Sequence, residues 1–153
     1  MLPVLATYFH PHIEEDVDLG RTLELLAVHD IGELIVGDKN VFTGSTDAEE
    51  TAELESALKL LTPRQKSTYM EFKNLETNEV KFAKSIDKIG PDIYDFLSDI
   101  NANGIRLRHY AGVEPHEIPD LIRKHKSPYM QWSTFMSNFH YGLIKKLEES
   151  YSG

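Results

Sequence analysis

At 153 residues, with 41% hydrophobic side chains, the chain has the size of one compact domain around one core, and residues 1–153 are expected to form that single domain. Its 25 Asp and Glu outnumber 16 Lys and Arg, and the resulting net charge of -9 repels a nucleic-acid backbone, so nucleic acid is not an expected partner. The chain has no cysteine, which excludes disulfides and thiolate ligands and leaves His and carboxylates to hold any metal.

Apolar residues recur at helical spacing almost throughout, and runs of alternating Val, Ile and Thr are missing, so the expected fold is an all-α, compact helical bundle. The apolar opening Met1 to Phe9 is too short for a membrane span and has no basic leader, so no membrane partner is expected and the expected location is cytoplasmic. It reads as the end of a helix, stopped at His10-Pro11-His12 because Pro11 disfavours helical dihedrals in the residue before it. From Asp18 to about Val36, Leu19, Leu23, Leu26, Val28, Ile31, Leu34 and Ile35 occupy most of a helix circumference, which predicts a central helix ended by Gly37-Asp38-Lys39-Asn40. A loop through Gly44 leads to Asp47, the predicted N-cap of a helix over about 47–61. Thr62-Pro63-Arg64-Gln65 offers a capping box with Pro at the first helical position and starts the next. Thr77 caps a helix in which Asp87 interrupts the stripe of Val80, Ala83, Ile86 and Ile89; Pro91 should kink or end it, with helix resuming over 92–101. Two more helices are predicted, over about 115–125 and 128–150. In the last, Tyr129, Trp132, Phe135, Met136, Phe139 and Leu143 recur at helical spacing and read as core or as a dimer seam.

Chemistry concentrates between Leu25 and Asp38, where His29, Asp30 and Glu33 interrupt an apolar helix. Ionisable groups buried there without partners are costly. Spacings of three and four put them on one helix face, and an adjacent His and Asp can reach one ion from neighbouring angles. Taken alone, a His-Asp dipeptide is more often a paired core or surface group. Asp87 alone would be more often a solvated carboxylate paired with Lys84 or Lys88. His109, His116 and His125, beside Arg106, Arg108, Arg123 and Lys124, read as a solvated face ahead of a phosphate-binding rim.

Together the two segments say more. His29-Asp30-Ile31-Gly32-Glu33, followed by Gly37-Asp38, resembles the central motif of the HD-domain superfamily of metal-dependent phosphohydrolases, and the segment from Thr77 to Asp87-Lys88 resembles its downstream Asp motif. The resemblance implies a divalent ion (Mn, Co, Mg, Fe or similar) held by His29, Asp30 and Asp87, with Glu33 and Asp38 catalytic. The implied substrate is a small phosphate monoester. Leu34 stands where the guanosine-tetraphosphate hydrolases of the superfamily carry a second acid after the Glu, so the resemblance is to the 5'-deoxynucleotidase-like branch and implies (deoxy)nucleoside 5'-monophosphates.

The family's first metal His lies on an upstream helix whose apolar continuation Met1 to Phe9 resembles, which would place that His before Met1. His10 would then lie about 14 Å further along at about 1.5 Å per residue, too far to substitute, and both His10 and His12 read as solvent-facing turn residues. A helix beginning at that point leaves apolar surface to cover, so a homodimer is expected. The alternative reading is a catalytically impaired HD-fold module acting in dimerisation or regulation.

Overall fold

Seven α-helices, and no strand, make up the described part of the computed structural model, which covers residues 1–33, 46–98 and 112–151. In chain order they are α1 (Leu2–Phe9), α2 (Leu19–Val28), α3 (Asp47–Leu60), α4 (Pro63–Lys73), α5 (Asn78–Leu97), α6 (Ile118–Lys126) and α7 (Thr134–Tyr151). Short 3₁₀ turns at His10–His12, Pro115–Glu117 and Ser127–Tyr129 lead out of α1, into α6 and out of α6. This is the all-α bundle expected from the periodicity.

Most helix starts follow from side chains next in sequence. The Asp18 carboxylate accepts from the Arg21 amide at 3.0 Å, and Thr62 with Gln65 closes both arms of a capping box ahead of Pro63. The cap of α3 is Thr46, one residue before the predicted Asp47, because Thr46 and Glu49 form a second capping box. Thr77 caps α5 as expected, and Glu79 reaches back to accept from the Asp18 amide at 3.0 Å, tying the starts of α2 and α5 together.

Two helices end differently from expectation. α2 stops at Val28, well short of Val36, since the bonds from the Ile31 amide to Val28 and from the Glu33 amide to Asp30 span three residues and tighten the chain out of α geometry. α5 runs through Pro91 without stopping. Pro91 is exposed, so its ring costs no core packing, and the helix forgoes one backbone bond to the Asp87 carbonyl.

α5 is the axis of the core. Val80, Phe82, Ala83, Ile86 and Ile89 are fully buried, and α1, α2, α4 and α7 all pack on it. Each of its large side chains stabilises the fold by about 1.5–3 kcal/mol through burial. α1 comes so close that a Cβ on Gly90 would lie 2.5 Å from Leu2 Cδ2, and only glycine permits that approach without Leu2 moving. Met136, Leu143 and Leu147 of α7 are buried, with Tyr129, Trp132, Phe135 and Phe139 packed against them, so the aromatic series belongs to the core. α1 leaves Met1, Val4 and Tyr8 exposed on its outer side. Val28, Ala57, Leu61 and Tyr69 form a smaller cluster joining α2, α3 and α4.

Away from this apolar packing, Asp92 of α5 and Lys126 of α6 form a buried ion pair at 2.6 Å, each side chain no more than 5% exposed. Burial pushes the Asp92 carboxyl up, and the adjacent Lys126 ammonium only partly offsets it. Nearby His140 is buried too. Burial, then the charges of Lys126 and Arg123, lowers it from 6.5 to about 4.

Two outcomes follow for stability. Lys126→Met should cost about 3–5 kcal/mol in urea unfolding by leaving Asp92 buried and unpaired, while adding Asp92→Leu should recover most of the loss; equal stability of wild type and the single variant would contradict the pair's role. For His140, folding favours the neutral ring, so its contribution is complete above 6.5 and is lost as pH falls towards about 4. Urea midpoints should therefore drop on acidification through that window, by up to about 3 kcal/mol in free energy, and a His140→Phe variant should show a shallower slope.

Candidate metal centre

The end of α2 and the middle of α5 bring His29, Asp30 and Asp87 together: one ligand atom from each lies within 4.8 Å of the others. His29 follows the last residue of α2, and its Nδ1 lies 2.7 Å from the Leu26 carbonyl one turn back. A carbonyl only accepts, so Nδ1 carries the proton and the neutral ring presents a lone pair at Nε2. That Nε2 lies 2.8 Å from Asp30 Oδ2 and 3.6 Å from Asp87 Oδ1. Neither carboxylate is aligned to accept a hydrogen bond from it, so the buried nitrogen has no such partner among the described residues.

A lone pair facing two carboxylates is repulsive unless a cation lies between them. The His29 pKa records the same pressure. Burial lowers it, but the close contact and charge of Asp30, the charge of Asp87 and the Leu26 carbonyl together raise it. One imidazole nitrogen held by a backbone bond on its far side, with two carboxylate oxygens, is a donor set suited to a borderline or hard divalent ion.

The surroundings are graded from dry to wet. The Phe72 ring meets His29 edge-on at 5.6 Å from α4, whereas the Asp30 side chain is 56% exposed and opens the cluster to solvent. Lys88 Nζ sits 3.0 Å from Asp87 Oδ2. Burial lowers the Lys88 pKa, yet Asp87, Tyr129 and Glu33 together raise it, so the ammonium stays charged beside the ligand.

The expected residues are thus distributed unevenly. His29, Asp30 and Asp87 meet, although the shared helix face imagined for His29, Asp30 and Glu33 does not exist, because α2 ends before them. Glu33 follows the turn of residues 29–32, within electrostatic reach of Lys88. Asp38 lies outside the described residues, as do Arg106, Arg108 and His109. Arg123 is engaged with Asp120 and Glu148, as expected of a solvated face. His12 is exposed and stacks on Phe135, but His10 corrects the expectation of a solvent-facing ring: it is partly buried and its Nε2 donates to the Val17 carbonyl at 2.9 Å. Phe72 was missed, and no motif signals it, since only tertiary packing brings α4 to the end of α2.

Metal removal tests the donor set. With Mn at about a hundredfold excess over Kd, wild-type protein should gain about 2.7 kcal/mol in unfolding free energy over its EDTA-treated form. His29→Ala and Asp87→Ala should retain no metal by elemental analysis and gain nothing. Equal metal content in wild type and His29→Ala would remove His29 from the set.

The HD domain family profile matches residues 1–122. Among solved structures, a predicted metal-dependent phosphohydrolase from Magnetospirillum magnetotacticum MS-1 superposes with a TM-score of 0.75 at 23% identity, over 98% of this chain and 77% of that one. No curated protein matches the chain. With two motifs meeting at one cluster and the profile spanning most of its length, the chain belongs to the HD domain family.

Proposed function

We propose that the protein is a divalent-metal-dependent phosphohydrolase of small phosphate monoesters, of the 5'-deoxynucleotidase-like kind, with (deoxy)nucleoside 5'-monophosphates as substrates. The observation that carries the proposal is the His29 lone pair, fixed by the Leu26 carbonyl and aimed at Asp30 and Asp87. A divalent ion, when bound, polarises a phosphoryl oxygen and lowers the pKa of water.

In this reading His29, Asp30 and Asp87 hold the ion, and the exposed side of Asp30 leaves room for substrate. Lys88 keeps a positive charge beside Asp87, where it draws a phosphate dianion towards the centre. Glu33, near that charge, holds or releases the proton exchanged with water and the leaving group; Asp38 is assigned the second acid/base role by resemblance.

Phosphate release from a panel of nucleoside monophosphates with Mn, Co or Mg tests this reading. Glu33→Gln should keep its metal and lose about 10²–10⁴-fold in kcat. Metal bound without turnover of any phosphate ester would instead favour the non-catalytic regulatory module.

A further inference from the structure

α5 presents a second constellation beside the metal centre. Leu75, Lys81, Pro128, Tyr129 and Trp132 line a cleft of about 140 Å³. Leu75 is an exposed hydrophobic residue, and Trp132 and Tyr129 are only partly covered. The aromatic wall is fastened to the core: the Ser85 hydroxyl lies 2.7 Å from the Tyr129 carbonyl and accepts from Trp132 Nε1 at 2.8 Å. At the rim, the Lys81 ammonium makes no ion pair or hydrogen bond among the described residues.

The cleft and the metal centre are neighbours through Tyr129 and Lys88. Lys88 Nζ, 3.0 Å from Asp87 Oδ2, is also 5.9 Å from the centre of the Tyr129 ring. The Tyr129 ring is therefore no more than about 9 Å from the Asp87 carboxylate. Lys81 and Lys88 stand two turns apart on one face of α5, roughly 10 Å along its axis. An aromatic slot, a cation unpaired among the described residues and a second cation beside Asp87 thus neighbour one another along α5.

We propose that this cleft is the ring subsite of the substrate: a single six-membered heteroaromatic ring sits against Trp132, Tyr129 and Leu75, its carbonyl oxygen takes a hydrogen bond from Lys81, and its phosphate extends past Lys88 to the metal centre. The phosphate end of this assignment rests on the phosphohydrolase reading; the ring end rests on the cleft alone. A cavity of about 150 Å³ holds one benzene-sized ring, so a fused two-ring base does not seat fully here. An ammonium only donates, so the ring must carry an acceptor, such as a carbonyl oxygen, on the Lys81 side. A pyrimidine nucleoside monophosphate meets both demands, and adenosine monophosphate fails the first.

Trp132 is the one tryptophan of the chain, so its emission reports on the cleft without metal or turnover. Metal-free protein, excited at the red edge of indole absorption, is titrated with uridine, uridine monophosphate, adenosine monophosphate and ribose 5-phosphate. Saturable quenching is expected with both uridine compounds, about tenfold weaker binding with the adenine nucleotide, and no change with the sugar phosphate. Lys81→Met, checked for unchanged circular dichroism, should raise the Kd for uridine about tenfold. With metal restored, the same variant should lower kcat/KM for uridine monophosphate about tenfold and leave that for ribose 5-phosphate unchanged.

Absence of quenching by uridine up to about 10 mM, above the usual range of KM, would overturn the ring subsite, as would equal affinity in Lys81→Met. The two readings fail separately. Quenching without turnover of any ester sinks the phosphohydrolase reading and keeps the cleft; turnover without quenching does the reverse.

Discussion

A carboxylate taken into a helical bundle has to be met by a cation or lose its charge, and α5 carries two into the body of this protein. The two are answered in different ways. Asp92 meets the ammonium of Lys126 in a dry contact at 2.6 Å, which fastens α6 to the core. Asp87, little more than one turn earlier, faces an imidazole lone pair, a second carboxylate and Lys88 at the edge of solvent. The first arrangement is closed and neutral. The second has more negative donors than positive partners and is open on the Asp30 side, which makes one a fastening and the other a candidate place for an ion.

The rest of the bundle follows from holding α5 in position. α1 approaches it at Gly90, one turn from Asp87, and α2 is tied to its start through Asp18 and Glu79. On another side, Ser85 joins the Tyr129 carbonyl and the Trp132 indole to the same helix. His29 is oriented by its own helix, since the Leu26 carbonyl accepts a hydrogen bond from Nδ1 and so holds the ring. The precision of the cluster thus comes from helix ends and helix packing; the exposed Asp30 supplies the adjustable member.

How much of this is legible in the sequence depends on the range of the interaction responsible. Caps that act over three residues, such as Thr62 with Gln65 and Thr77 with Val80, can be read directly, and the error at Asp47 is one residue because Thr46 has the better partner in Glu49. The two acidic motifs are legible because charged residues in apolar stripes demand a reason. The early end of α2 is not, since it is set by three-residue backbone bonds and a ring bonded to its own helix, which periodicity cannot see. Nor is the partly buried ring of His10, which answers a carbonyl seven residues away, or the Asp92–Lys126 pair, whose partners are 34 positions apart.

Pro91 gives α5 one missing rung, and the rung removed is the one that would have held the Asp87 carbonyl. A helix bends most readily where its backbone ladder is interrupted. Asp87, whose carboxylate belongs to the candidate donor set, therefore sits where the ladder of the helix is interrupted, with the buried Ile86 and Ile89 beside it. The backbone behind that carboxylate thus carries one restraint fewer than the turns around it, inside a helix whose other face is locked in the core.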